Sequence, residues 1–269
     1  MSGKPFAWQT DTCSASSGNT LRIRYRSHFS RWYGNRLPLL QGLHIGGRIE
    51  CNSSCAHPLE STMLRLYDSR LSGNSWKVRI LLSQLGLLYE RVTLDIRKGE
   101  TRDPSFRRIS RFARVPVLLL EDGRPIVESG AILVHLANGT PYLPDDPHLR
   151  TEVMSWLFFE QADLQKSIAT ARVLHLHGLA NDRMQDIVRY HADGYPALEK
   201  LDEWLLDHTW LAGDSYTIAD LAASAYVSLA EQGGYAMARF SGIEAWVARV
   251  QAQPGWVPLL HGENTSSSA

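Results

Sequence analysis

The chain has 269 residues, 44% of them hydrophobic and 21% charged, enough to bury one large or two ordinary domains and typical of a soluble globular protein. No apolar run approaches the roughly 18 residues of a membrane span, so no membrane partner is expected. The zero net charge divides unevenly, with 7 basic and 3 acidic residues over 1–62 against 21 and 25 over 63–269, and the mildly acidic body disfavours nucleic acid as a main partner.

Residues 1–62 show neither sustained helical nor strand periodicity. Their Arg and Ser content with few acids faintly resembles an organellar transit peptide, without the apolar core of a secretory signal. Met63 directly precedes a strand-like run, so the natural chain is expected to start there. Residues 1–62 are then an extension without a fold, with a targeting or regulatory arm as the alternative. All three cysteines (Cys13, Cys51, Cys55) lie in this segment. Cys51, Cys55 and His57 offer three metal ligands but no distant partner set, so no metal site is expected. From residue 63 onward no disulfide can form and no thiol of the chain can act as nucleophile, which suits a reducing, cytosolic compartment.

Residues 63–68 (MLRLYD) predict a short strand. Between it and an apolar stretch stand five small or polar residues, Ser69, Ser72, Gly73, Asn74 and Ser75. A helix cap needs one of them, so either the turn is generous or its polar groups hold something. The helix is expected from Asn74 to Gly86, with Val78, Leu81, Leu82 and Leu85 inward. A strand follows at 88–96, and a short helix begins near Pro104, favoured at an early helical position. A strand, a turn at Asp122-Gly123, a strand at 125–127 and a helix from Ser129 complete a βαβ–ββα unit over 63–138. Residues 139–148 are a proline-rich linker. Helical stretches then fall near 149–176, 182–207, 217–231 and 242–252, so 149–258 is expected to be all-helical, with 259–269 a flexible tail. The clearest start is YTIADL, in which Thr217 caps, Asp220 reaches back, and Tyr216 and Leu221 sit as a hydrophobic staple. Trp156, Phe158 and Phe159 suit core packing, a pocket or an interface. His175 and His177 point to different faces of a helix and make neither base nor metal site.

In this order, four stretches resemble the cytosolic glutathione S-transferase superfamily: YDSRLSGNSWKVRILL, FRRISRFARVPVLLLEDG, IVESGAILVHLA and WLAGDSYTIADLAASAY. The resemblance covers about residues 63–258, and the Asn in the first turn points to a serine/asparagine-type, bacterial-like (theta/nu-like) member. It implies a thioredoxin-like α/β N-terminal domain followed by an all-α C-terminal domain, glutathione as co-substrate, and a homodimer. The expected activity is a transferase that presents the glutathione thiolate to a small electrophile. Glutathione-dependent disulfide reduction and a non-catalytic interaction module of the same fold are the alternatives.

Site residues follow from the same resemblance. Ser72 corresponds to the hydroxyl residue and Asn74 to the amide donor near the sulfur, each able to stabilise a thiolate at a helix start. Ser69, Ser75 and Tyr67 are the nearby alternatives. Val115-Pro116 corresponds to the family's cis bond, whose free backbone groups pair with the cysteinyl unit like an added strand. Arg114 corresponds to a basic or amide residue facing the glycine carboxylate. Glu128 and Ser129 end a strand and open a helix, where N–H groups and the positive dipole end suit an anion. There Ser129 takes the γ-glutamyl carboxylate and Glu128 the ammonium.

Overall fold

The computed structural model describes residues 63–261. The extension expected over 1–62, with its Cys51, Cys55 and His57, lies outside the described residues, as does 262–269.

Strand β1 (Leu64–Asp68) leads through helix α1 (Gly73–Gln84) to β2 (Tyr89–Thr93), which pairs parallel with β1. Two 3₁₀ turns and α2 (Pro104–Ile109) follow, the latter capped by the Asp103 carboxylate accepting from Ser105 N–H. The hairpin β3 (Val117–Leu119) and β4 (Pro125–Val127) closes over Asp122-Gly123, where Gly123 takes the positive φ of 81° that the turn requires. β3 runs antiparallel to β1, so the sheet order is β2-β1-β3-β4. Helix α3 (Ser129–Ala137) then packs beside α1. This is the mixed thioredoxin-like sheet that the sequence leads one to expect.

Burial of helix α1 extends well beyond the apolar positions that its sequence marks. Every residue from Ser75 to Leu82 is buried, including Lys77 and Arg79. The helix is covered on two sides. Val78 and Leu82 pack with Leu66 and Leu118 of the sheet and Ile132 of α3, while Trp76, Ile80 and Leu81 join the core of the helical half. A helix sandwiched in this way is buried nearly all round, its polar positions Ser75, Lys77 and Arg79 included.

In that half, α4 (Pro147–Phe159) continues through a π turn (Glu160–Gln165) into α5 (Lys166–Leu176). Helices α6 (Met184–Asp207), α7 (Ile218–Val227) and α8 (Ser241–Gln251) complete it. Every residue of α7 is buried, and its expected capping box is present. Asp220 accepts from Thr217 N–H at 3.0 Å, Leu211 N–H at 2.9 Å and the Trp246 indole at 2.9 Å. One carboxylate thus ties the α7 start to α8 and to the preceding loop. Among the described residues no helix is long and apolar enough to cross a membrane. The segment read as the start of a tail is tied down: Arg79 donates to Leu259 O at 2.8 Å and Arg91 to His261 O at 3.1 Å.

Candidate functional site

The polar turn after β1 resolves into separate roles. Ser72 is the N-cap of α1, its Oγ accepting from Ser75 N–H at 3.2 Å. The Ser75 hydroxyl in turn accepts from Ser69 N–H at 3.4 Å. Of the five small residues only Asn74 lines a cavity of about 360 Å³. Gly73 is required by packing, because a Cβ there would stand 2.9 Å from the Tyr226 ring of α7. The helix start is therefore pressed against the helical half, with Asn74 at the seam.

Arg114, Val115, Pro116, Glu128 and Ser129 line the same cavity. The Val115–Pro116 peptide bond is cis. β3 begins one residue after Pro116, with Val117 opposite Tyr67 and Val127, so the Val115 backbone stands ahead of the strand ladder, at the cavity. The loop before it is pinned by buried Ser110, whose hydroxyl donates to Arg114 O at 2.9 Å and accepts from Arg114 N–H at 3.1 Å. Glu128 adopts φ 73°, ψ 124°. A non-glycine residue held there costs about 1–3 kcal/mol and such strain concentrates at functional sites. Here the exposed Glu128 lines the cavity, and the next residue, which also lines it, opens α3, whose first N–H groups have no intrahelical partner.

The opposite wall comes from the π turn and the start of α5: Gln161, Gln165, Lys166 and Thr170. The π turn is a rare geometry that recurs at functional sites. Its Glu160 is buried and reaches Lys77 of α1 at 2.6 Å, with side chains 1% and 0% exposed. Lys77 Nζ also donates to Asn74 Oδ1 at 2.8 Å and lies 5.0 Å from the Tyr226 ring centre. Ser129 Oγ donates to the same Asn74 oxygen at 3.2 Å, and Gln161 Nε2 donates to the second Glu160 oxygen at 2.8 Å. Burial pulls the Lys77 pKa down, against the pull of the Glu160 carboxylate. A polar chain thus runs Ser129–Asn74–Lys77–Glu160–Gln161, and both of its ends line the cavity.

Six of the seven residues singled out from the sequence meet in one place: Asn74, Arg114, Val115, Pro116, Glu128 and Ser129. Ser72 stands behind them as a cap. The alternative Tyr67 lines a different hollow, with Leu94, Phe106 and Ile109, its ring 5.8 Å from Phe106. Trp156 packs against Phe159 and Trp204, away from the cavity lining, and Phe158 is exposed. Sequence reasoning missed Ser110, Phe112, Lys77 and the whole helical-half wall. A charge between Trp76 and Val78 was the available signal for Lys77, and the polar run Glu160–Lys166 after two phenylalanines was the signal for the wall.

Among solved structures, the chain resembles a glutathione S-transferase from Pseudomonas fluorescens Pf-5 at 41% identity and a TM-score of 0.72, covering 74% of this chain and 99% of that one. It also resembles Ure2p in complex with glutathione, at 29% identity and a TM-score of 0.69, covering 75% and 95%. Among curated relatives are the transcriptional regulator URE2 of Saccharomyces cerevisiae, 30% identical over 77% of this chain and 69% of that protein, and the disulfide-bond oxidoreductase YfcG of Escherichia coli K12, 27% identical over 67% and 87%. Residues 62–138 match the family model for the glutathione S-transferase N-terminal domain, and residues 192–254 match that for the C-terminal domain. With both halves matched in order and a relative aligned over more than two thirds of its length, the chain belongs to the glutathione S-transferase family.

Proposed function

We propose that this chain binds glutathione in the cavity and holds it as the thiolate, with Asn74 the donor to sulfur. The observation that carries the reading is the convergence on one cavity of Asn74, the strained Glu128–Ser129 turn and the cis Val115–Pro116 edge. Glu128 pairs the γ-glutamyl ammonium, and the Ser129 N–H at the α3 start takes the neighbouring carboxylate. The Val115 backbone pairs the cysteinyl unit as an added strand, and Arg114 takes the glycyl carboxylate. The Asn74 amide then meets the sulfur. A hydrogen bond to the anionic form lowers the thiol pKa, and the proton leaves to solvent. The thiolate attacks an electrophilic carbon, the S–C bond forms, and the leaving group departs with its electron pair. Ser72 acts one step back, through the helix start that carries Asn74. The assembly is proposed to be a cytosolic homodimer, in keeping with the family resemblance and with the lack of cysteine after residue 62.

Disulfide reduction is a second reading, favoured by the polar wall of Gln161, Gln165, Lys166 and Thr170 and by the name of the E. coli relative. An apolar electrophile gains little from amides and an ammonium, whereas a peptide disulfide can use them. In that reaction the thiolate attacks one disulfide sulfur and the other leaves as a thiolate. A second glutathione resolves the mixed disulfide, giving glutathione disulfide and the second free thiol.

The test is calorimetric titration of the full chain with glutathione, followed by the ultraviolet thiolate absorbance of the bound peptide against pH. Turnover is then measured with 1-chloro-2,4-dinitrobenzene and with 2-hydroxyethyl disulfide. A bound thiol ionising below the free one supports the reading, and the faster substrate selects between conjugation and reduction. Binding without an ionisation shift or turnover moves the chain to an interaction module, in line with the regulator URE2. Failure to bind glutathione removes the proposal altogether.

A further inference from the structure

We propose that Lys77 and Glu160 are positioning residues: their buried ion pair fixes the Asn74 side chain so that its amide nitrogen, not its oxygen, faces the cavity. The inference rests on the thiolate reading above and deepens it. Lys77 Nζ lies 2.8 Å from one polar atom of the Asn74 amide. An ammonium carries donors only, so that atom is the carbonyl oxygen. Ser129 Oγ lies 3.2 Å from the same oxygen and supplies a second donor. With its oxygen held from two sides, the Asn74 side chain has two N–H donors to present at the cavity it lines. An oxygen turned that way would repel a thiolate.

The remaining donors of Lys77 are also engaged. Glu160 Oε1 takes one at 2.6 Å, and the ammonium sits over the face of Tyr226 at 5.0 Å from the ring centre. The charged groups that face it are Glu160 from the π turn and, farther off, Glu128 from the cavity rim. A fully buried ion pair is weak evidence for stability, since an apolar pair of similar volume often does as well. Asn74 is what this pair touches that such a replacement could not hold. The lysine's charge also polarises the amide, which strengthens its N–H groups as donors in a site of low dielectric.

Glu160 adds a tie across the seam. Its second oxygen holds Gln161, which lines the opposite wall, so the donor on α1 and the far wall share one support.

The experiment uses the full chain and two double variants. Lys77→Met with Glu160→Gln removes the donor to Asn74 without leaving a charge unpaired. Lys77→Gln with Glu160→Gln keeps an N–H donor in reach of the Asn74 oxygen. Each is titrated with S-methylglutathione for affinity and with glutathione for the pH dependence of bound thiolate absorbance. The expected result is affinity for S-methylglutathione within about threefold of wild type in both, with the bound thiol pKa raised by about one unit in the Met variant, roughly a tenfold loss of thiolate at neutral pH. The Gln variant recovers at least half of that shift. Equal thiol pKa values in wild type and both variants overturn the proposal, as does an equal rise in both variants. If the Met variant does not fold, nitrogen-15 spectra of the wild-type chain decide. The side-chain amide signal lost in Asn74→Asp must move when glutathione replaces S-methylglutathione, and a signal that stays fixed overturns the orientation. A wild-type chain that binds glutathione without lowering its thiol pKa sinks the thiolate reading itself, a result distinct from every outcome above.

Discussion

At the scale of single residues, the two side chains nearest the start of α1 separate chemistry from architecture. Asn74 lines the cavity, while Ser72 spends its oxygen on the Ser75 N–H. Asn74→Ala should therefore lower kcat/KM by about 100-fold, the lower end of the range for a lost donor to a developing or full anion, and should also lower unfolding free energy by about 1–3 kcal/mol, because buried Lys77 loses an acceptor. Ser72→Ala should affect stability alone, lowering unfolding free energy by about 1 kcal/mol through the lost cap while reducing kcat/KM at least tenfold less than Asn74→Ala does. Steady-state kinetics with urea unfolding on both variants checks the pair. A Ser72→Ala rate loss as large as that of Asn74→Ala would return Ser72 to direct contact with sulfur. Glu128 marks a different kind of residue, one held at positive φ at a cost. Its backbone sets where α3 begins, and its carboxylate sets what can lie there.

At the scale of elements, caps and loops do the positioning. Ser110 closes a short loop over four residues by both donating to and accepting from Arg114. Ser110→Ala should loosen the loop that carries Val115 and Arg114, weakening glutathione affinity about 5–30-fold, as expected from one or two lost hydrogen bonds of about 1 kcal/mol each, with less change in kcat. Calorimetry beside kinetics separates the two. Asp220 serves α7 in the same way but is buried at the junction of three segments. Asp220→Ala leaves its N–H partners unsatisfied and should cost about 3–4 kcal/mol in urea unfolding. The capping box of α7, the strand at 125–127 and the turn at Asp122-Gly123 were legible because each is written within a few neighbouring residues. Turn chemistry marked Asn74, Glu128 and Ser129 as strand-to-helix junctions, but their joint role in one site came from the family resemblance and not from the local sequence. The Lys77–Glu160 pair was not legible, because its members stand 83 residues apart and no spacing rule links them. The far wall was hidden for a second reason. A helix written at 149–176 gives a face by counting 3.6 residues per turn, and a π turn at Glu160–Gln165 shifts that count midway.

At the scale of the whole molecule, the thioredoxin-like and helical halves meet along α1 and α7, and Tyr226 is the side chain that joins them. Its ring closes on Gly73, its face receives Lys77, and Gln165 of the π turn and the Asn74 backbone favour the ionised form of its hydroxyl against burial. Burial is the main reason its phenol pKa is pushed up to about 12. Tyr216 and Tyr235 are pushed up by burial as well. A raised folded-state pKa stabilises the fold fully below the unfolded value near 10, and that stability is lost as pH climbs toward 12, because the unfolded chain gives up the proton first. For Tyr226 alone the loss is about 1.4 kcal/mol per pH unit at full slope, or about 3 kcal/mol across the window. The lowered pKa of Lys77 acts in the opposite sense, since the unfolded chain then binds the extra proton, but it is common to wild type and to a tyrosine variant. Tyr226→Phe should thus be less stable than wild type by about 1 kcal/mol at pH 9, where it lacks the hydroxyl's interactions with Gln165 and the Asn74 backbone. By pH 11.5 it should be the more stable of the two, because phenylalanine has no proton to lose. Urea unfolding at both pH values measures the difference. A constant gap from pH 9 to 11.5 would mean that the phenol ionises as easily folded as unfolded, and that the seam between the halves is open to water at Tyr226.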